Sequence, residues 1–508
     1  MNAHAPAKPA AFLWLAVALA VVIHLAVAGW NVFYGAQNTD EGFYAVATRA
    51  VAHGEMPYRD FGFPQPPLVL YANSLPMEVA GFGLFPQRVV NGFWAALALL
   101  IAACWLARRT RPAWGIMLAV SFSLSAPWMY FIHLGKTYGL ATLLVMLAAW
   151  AFLAMQNGVR RNVVFGVLTA LGLGTRLPTA PFFGLLWLLA LWPGRRPSVK
   201  EALAAVGGAG LTGAAIALPF WLAAPEQVKF WVFDLHRLSL PYRDWNLGWD
   251  EIAALAPAVW LLTVVAFGIA IVRGSFVTRE MGVMLAAMVT LATNLLPGGV
   301  YEEYGVPFLL PLAAAAAALV YDESKTWKKP AIVAILTLLV AAQLLIAPAL
   351  ARNLPPHRGT ASWWLTPKAP PYNRSLPTQL AAARQVVKQS LASDAPFIGS
   401  NIILAAETGR TVPPELRMGP FSFTVEMAPA EAARLHLTTH EQLDEWFARK
   451  DVTLLAFFKR RELNYGWTMP TFGQLPEDFH SQWFAPIRRD FAIAYETESD
   501  FLLLVRKP

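Results

Sequence analysis

One cysteine in 508 residues, Cys104, rules out a disulfide within the chain, and its place inside an apolar run says nothing about redox compartment. Charge is scarce as well. Asp, Glu, Lys and Arg make up 14% of residues against 56% hydrophobic, with a mean hydropathy of +0.45, where a soluble domain carries about 25% charged residues. An ordinary soluble globule is thereby excluded. No repeat long enough to build an inverted-repeat transporter is visible. Residues 351–508 hold 18 basic against 16 acidic residues, so that part lacks the basic excess of a nucleic-acid binder.

What the chain does have is apolar runs of membrane-crossing length. They fall at 11–33, 86–107, 113–132, 137–156, 162–176, 179–193, 201–224, 251–272, 277–296, 306–321 and 330–350, which predicts eleven spans in an all-α polytopic membrane protein. The first run is longer than the apolar core of a signal peptide, so an uncleaved helix is expected. Of the 22 Lys and Arg before residue 351, 14 fall in the turns on one side, including Arg108, Arg109, Arg160, Arg161, Arg195, Arg196, Lys328 and Lys329. Lysine and arginine favour the cytoplasmic side, so the N-terminus is expected inside. The net charge of +8 is then mostly a matter of topology. An odd number of spans sends the rest outside: a Pro-rich linker at 351–375, then a small soluble α/β domain at 376–508. Its expected elements are a helix over 376–391, a buried strand at "VTLLAFF" and a terminal hairpin at "FAIAYETESDFLLLVRKP".

The first outer loop, 34–85, carries the most information. It opens on "NTDEGFYAVA", with Asp40 and Glu41 at the point where the chain leaves the first span. "EGFYAVATRAVAHG" predicts an amphipathic helix with Phe43, Ala47, Ala50 and Val51 on one face, Arg49 and His53 on another, and a stop at Gly54. "MPYRDFGFPQPPLVLY" adds Tyr58, Arg59, Asp60 and Gln65 around a Pro-flanked turn, and "LVLYANSLPMEVAGFGLFP" predicts a second interfacial helix. The loop is therefore expected to lie on the membrane surface. A plainer account of the acid pair is helix capping, because Thr39 and Asp40 are good N-cap residues.

The order of a first span, Asp-Glu, a helix ending in Gly, "PYRDF" and "QPPLVLY" resembles the first-loop signature of the polyprenyl-phosphate-dependent glycosyltransferases of the GT-C fold. The nearest group is family 39, which includes protein O-mannosyltransferases and lipid A aminoarabinose transferases. The likeness is specific over residues 30–75, and elsewhere it is one of topology. It implies sugar transfer from a lipid-linked donor, with inversion, at the outer face of a bacterial inner membrane. The first-loop acid would activate the acceptor hydroxyl, a role that falls on Asp40 with Glu41 beside it. The acceptor would be a glycan, a lipid or a protein.

The leaving group in such a reaction is a lipid phosphate, which calls for cations at the outer mouth. Arg176, Lys136, His236 and Arg237 are the candidates. Arg176 leads, since a charge inside a span is costly and points to function, against the alternative that it snorkels to the headgroups. Tyr242 and Arg243 belong to the same loop as His236. Tyr301, Glu302, Glu303 and Tyr304 in "GGVYEEYGVP" are candidates for the acceptor border. His24, mid-span, reads as a packed histidine bonded to a neighbouring helix.

Two departures from the resembled pattern stand out. Relatives of the lipid A transferase commonly place an acid at the mouth of the fourth span and a lysine before the paired prolines, where this chain has Lys136 and Gln65. The missing acid speaks against a divalent metal, which wants several oxygen ligands, so no cofactor is expected. The missing lysine speaks against aminoarabinose and favours a neutral hexose or pentose. His436 and His440 lack a third ligand for a metal. The competing reading is a transporter or flippase for a lipid-linked glycan, though it would leave the acid-bearing loop unexplained. A membrane assembly protein whose C-terminal domain binds partners is a further alternative, and "GRTVPPELRMGPFSF" is that domain's most substrate-like loop.

Overall fold

The structure, a computed structural model, describes residues 11–190, 198–238, 256–274, 278–295, 302–324, 375–458, 487–497 and 501–508. The expected span 330–350, the linker, Tyr242, Arg243 and Tyr301 lie outside the described residues.

The chain is mostly helical. The first ten helices are α1 (Ala11–Tyr34), α2 (Glu41–Ala52), α3 (Leu68–Ala80), α4 (Leu84–Arg109), α5 (Pro112–Leu124), α6 (Ala126–His133), α7 (Tyr138–Ala154), α8 (Val159–Thr175), α9 (Ala180–Ala190) and α10 (Val199–Ala223). Further long helices span Pro257–Arg273, Arg279–Leu295 and Val306–Ser324.

Among the described residues, three helices are long and apolar enough to cross a membrane: Leu84–Arg109, Val199–Ala223 and Glu303–Asp322. The eleven expected spans are therefore only partly matched, because several break into shorter helices. The run 113–132 becomes α5 and α6, broken at the extended residue Ser125 just ahead of Pro127, a residue that opens helices and does not continue them. The runs 162–176 and 179–193 become α8 and α9 around a tight turn at Leu177–Thr179, with Arg176 extended between them.

Close helix contacts rest on glycine. A Cβ at Gly139 of α7 would meet the Asn91 carbonyl of α4, and one at Gly166 of α8 would meet the Ala205 carbonyl of α10. Small residues let apolar helices approach where no hydrophobic drive separates them from lipid. His24 bonds Ser123 Oγ of α5 through Nδ1 at 3.0 Å.

Among the described residues the C-terminal part contains a four-stranded sheet in the order β1-β2-β4-β3, with β1 at Ile398–Gly399, β2 at Leu454–Phe457, β3 at Phe491–Glu496 and β4 at Leu502–Arg506. β1 runs parallel to β2, while the β3–β4 hairpin is antiparallel. All of β2 is buried, as its unbroken apolar run demands. Helix Leu376–Ser390 buries Leu376, Leu380, Ala383 and Val387, one face at helical spacing.

One difference from the sequence reading bears on function. α2 does not present a wet face to solvent: all its residues from Glu41 to Val51 except Arg49 are buried. The C-terminal domain receives Arg49 from the side that the amphipathic pattern leaves polar, while His53 at the helix end stays exposed. Arg49 reaches the end of helix Ile403–Thr408, donating to the carbonyls of Ala405 at 3.3 Å, Arg410 at 3.1 Å and Gly409 at 2.8 Å. A guanidinium is favoured there by the unsatisfied carbonyls of the helix end. The same domain is tied to α4 by Glu407, which accepts from the Leu84 backbone N–H at 2.8 Å. Trp231 Nε1 donates to the Leu435 carbonyl at 2.9 Å.

Candidate active site

The two acids of the first loop, adjacent in sequence, do different things. Glu41 is fully buried and met edge to edge by Arg88 of α4, Nε to Oε1 and Nη2 to Oε2, both at 2.7 Å. Its oxygens also accept from the backbone N–H of Gly135 at 3.0 Å and of Asn38 at 2.9 Å. The remaining Arg88 donors reach the carbonyls of Val32, Gly35 and Ala36. Every lone-pair direction of Glu41 is in use, so its geometry is that of a structural strut, and a catalytic role would require breaking it.

Asp40 stands at the N-cap of α2 yet makes no side-chain cap bond. Its Oδ2 lies 2.7 Å from Lys136 Nζ, and Lys136 also donates to Glu303 Oε1 at 3.0 Å. Asp40 keeps 24% of its side chain exposed, against 6% for Lys136 and 9% for Glu303. Burial alone would push the Lys136 ammonium down, but Asp40 and Glu303 outweigh it and hold the group well above the ordinary lysine value.

The two residues after Lys136 extend the cluster. Arg176 donates through Nη1 to Thr137 Oγ1 at 2.9 Å and through Nη2 to the Tyr138 hydroxyl at 3.3 Å. Its guanidinium lies 4.5 Å from the ring centroids of both Tyr138 and Tyr304, a cation between two aromatic faces. Arg176 is only 3% exposed. Among the described residues no carboxylate lies within ion-pair distance of it, and its Nε has no hydrogen-bond partner. Tyr44 of α2 joins them: burial raises its phenol, with the charges of Arg176, Asp40 and Lys136 acting on it.

Asp40, Lys136, Glu303, Tyr304 and Arg176, drawn from separate stretches of sequence, are thus linked into one cluster in which Lys136 bridges Asp40 and Glu303 and Arg176 lies against Tyr304. The other expected site residues sit elsewhere. Tyr58 is buried and left-handed at φ 70°, and its hydroxyl donates to the Gln65 carbonyl at 2.6 Å. Arg59 and Asp60 pair with each other at 2.7 Å on the surface. His436, also left-handed at φ 57°, bonds the carbonyls of Tyr58 and Arg59 through Nε2 at 3.0 and 3.1 Å. His236 bonds the Pro64 carbonyl at 2.8 Å, and Arg237 is exposed. The Tyr58 to Gln65 turn is therefore built as a seat for the C-terminal domain. Glu302 lies in the short turn Glu302–Gly305.

Sequence reasoning missed Arg88, Thr137, Tyr138 and Tyr44. Arg88 carried the same signal as Arg176, a lone charge in an apolar run. No group of three or more His, Cys, Asp or Glu suited to a metal occurs among the described residues. A groove of about 610 Å³ lined by Cys104, Trp105, Arg108, Leu147 and Trp150 lies at the far ends of α4 and α7 and contains none of these groups.

The fold is that of the GT-C architecture found in solved membrane glycosyltransferases. Among solved structures the chain resembles ArnT from Cupriavidus metallidurans, a lipid A aminoarabinose transferase. With its undecaprenyl-phosphate-bound form the TM-score is 0.60 at 14% identity, covering 97% of both chains. With the apo form it is 0.60 at 13% identity, covering 98% of both. The Archaeoglobus fulgidus oligosaccharyltransferase gives a looser likeness, with a TM-score of 0.47 at 12% identity over 87% of this chain and 67% of that one. No protein-family model matches the sequence and no curated protein matches it.

Proposed function

We propose that the protein is an integral-membrane glycosyltransferase that moves a hexose or pentose from a polyprenyl-phosphate donor to an acceptor hydroxyl. The reaction takes place at the outer face of a bacterial inner membrane, on a scaffold of eleven spans with the N-terminus inside. The observation that carries this reading is Arg176, a buried guanidinium with no carboxylate at ion-pair distance among the described residues, standing beside the Asp40 cluster. A buried cation of this kind calls for an anion, and the phosphate of a lipid-linked sugar supplies one. The shared fold with ArnT, solved with undecaprenyl phosphate, supports the same choice.

In this mechanism the acceptor hydroxyl attacks the anomeric carbon from the side opposite the phosphate. The new oxygen–carbon bond forms as the carbon–phosphate oxygen bond breaks. The electron pair leaves on the lipid phosphate at Arg176, the hydroxyl proton passes to the Asp40 carboxylate, and the anomeric centre inverts. Asp40 suits the base because it is the acid of the cluster that keeps an exposed edge. Glu303 and Tyr304 border the acceptor.

The test is transfer from radiolabelled undecaprenyl-phosphate sugars to a membrane extract, comparing wild type with Asp40→Asn at equal abundance. A positioned general base contributes about 10²–10⁴-fold, so a fall of that order is expected. Unchanged activity would remove Asp40 from the chemistry. No transfer by wild type from any donor would favour a transporter of lipid-linked glycans.

A further inference from the structure

Two carboxylates facing each other in a half-buried site repel, and such pairs are held together by a cation. In many enzymes that cation is a divalent metal. Here the position between Asp40 and Glu303 is taken by a side chain: Lys136 Nζ lies 2.7 Å from one carboxylate and 3.0 Å from the other. We propose that the Lys136 ammonium is the resident cation of this carboxylate pair, a positioning residue that orients Asp40 and excludes divalent metals from the site.

Three observations converge on this. First, both distances are those of charge-assisted N–H···O contacts, and the ammonium is nearly inaccessible, so a metal could enter only by displacing a buried side chain. Second, the remaining nearby acid is not on offer as a ligand. Glu41 is consumed by Arg88 and two backbone donors, which leaves two carboxylates where a hard divalent ion wants about six oxygen ligands. Third, the other cation of the cluster does not compete for the pair: Arg176 makes its contacts with Thr137 and Tyr138 instead of the carboxylates, so Lys136 is the cation that meets both acids.

The lysine also differs from a metal in where it is anchored. Its backbone N–H bonds the Leu134 carbonyl at 2.6 Å, and the neighbouring Gly135 N–H bonds Glu41. The cation is thus fastened through one loop to the strut that fixes the start of α2. With both carboxylates already on its Nζ, Lys136 is the weaker of the phosphate candidates, and Arg176 remains the leading one.

The inference rests on the transferase reading only for its catalytic consequence, so the test begins with metal binding in the absence of substrate. Full-length protein in detergent is titrated with Mn²⁺ and followed by electron paramagnetic resonance and thermal shift. Wild type is expected to show no Asp40-dependent Mn²⁺ binding. Lys136→Asp, which places a third carboxylate where the ammonium stood, is expected to bind Mn²⁺, and the double variant Lys136→Asp with Asp40→Asn to lose it. In transfer assays, chelation is expected to leave wild type within about twofold of untreated enzyme, whereas Lys136→Asp should be nearly inactive and recover at least tenfold with Mn²⁺.

Asp40-dependent Mn²⁺ binding by wild type would overturn the proposal, as would chelator-sensitive transfer restored by the metal. So would a folded Lys136→Asp protein that binds no Mn²⁺. If that variant does not fold, the two wild-type measurements still decide. Should wild type transfer no sugar while the binding pattern is as expected, the ion clamp stands and the transferase reading falls.

Discussion

Arg88 and Glu41 face each other with two parallel hydrogen bonds of 2.7 Å, both side chains at 1% exposure or less. Removing one partner of such a buried pair strands the other charge, a cost of about 3–5 kcal/mol. Arg88→Met is therefore expected to lower the unfolding temperature and the yield of folded protein sharply. Asp40→Asn should leave both nearly unchanged, because Lys136 retains Glu303. Thermal unfolding in detergent, set beside transfer activity, separates the two acids: one variant loses fold and the other loses turnover.

Arg176→Lys keeps the charge but gives up the fork to Thr137 and Tyr138 and the stack between two tyrosines, and the two cations are not interchangeable at such sites. Hydrogen bonds to charged groups are worth about 1.5–3 kcal/mol, so kcat/KM for the lipid-linked donor should fall roughly ten- to hundredfold. Arg176→Gln should fall further. Steady-state kinetics against donor concentration would show it, and an unchanged donor kcat/KM in Arg176→Gln would exclude the phosphate role.

Gly139→Ala should force α7 away from the Asn91 carbonyl. Overpacking of this kind costs about 1–3 kcal/mol, and because Lys136, Thr137 and Tyr138 lie just ahead of it, activity should drop along with stability. Gly29→Ala is the control: a Cβ there meets nothing within 4 Å, and replacing a mid-helix glycine by alanine gains roughly 0.5–1 kcal/mol. Thermal unfolding of the two variants should move in opposite directions.

Burial pushes the His436 imidazole below its ordinary value of 6.5, against the opposing effect of its bonds to Tyr58 and Arg59. A histidine lowered in the folded state is neutral there while the unfolded chain already binds a proton. Its stabilising contribution is thus complete above about pH 6.5 and declines as pH falls toward the folded value. Protease susceptibility of the 375–508 region, measured from pH 7.5 to pH 5, should rise in wild type. The dependence should flatten in His436→Gln, whose susceptibility is higher throughout.

The sequence made many of the apolar helices and the terminal hairpin legible, because apolar period acts locally, but not the break that divides the run 113–132 at Ser125. It also brought forward Asp40, Lys136, Arg176 and Glu303 as charges near one mouth. Only the resemblance, and nothing in the residues themselves, set Asp40 apart from Glu41. That distinction depends on Arg88, far away in sequence, arriving on the side of Glu41, and on Lys136 arriving on the side of Asp40. Nor could the sequence show that α2 is covered. Its amphipathic pattern is the same whether the polar side meets water or the carbonyls at the end of helix Ile403–Thr408, and only tertiary packing chooses between them.

α2 begins at the acid proposed as base and, further along, plants Arg49 in the C-terminal part. The two halves of the protein therefore share one ruler. Whatever shifts the C-terminal part along that helix shifts the carboxylate as well, so a residue inserted into or deleted from α2 would break the register between Asp40 and the carbonyls that receive Arg49.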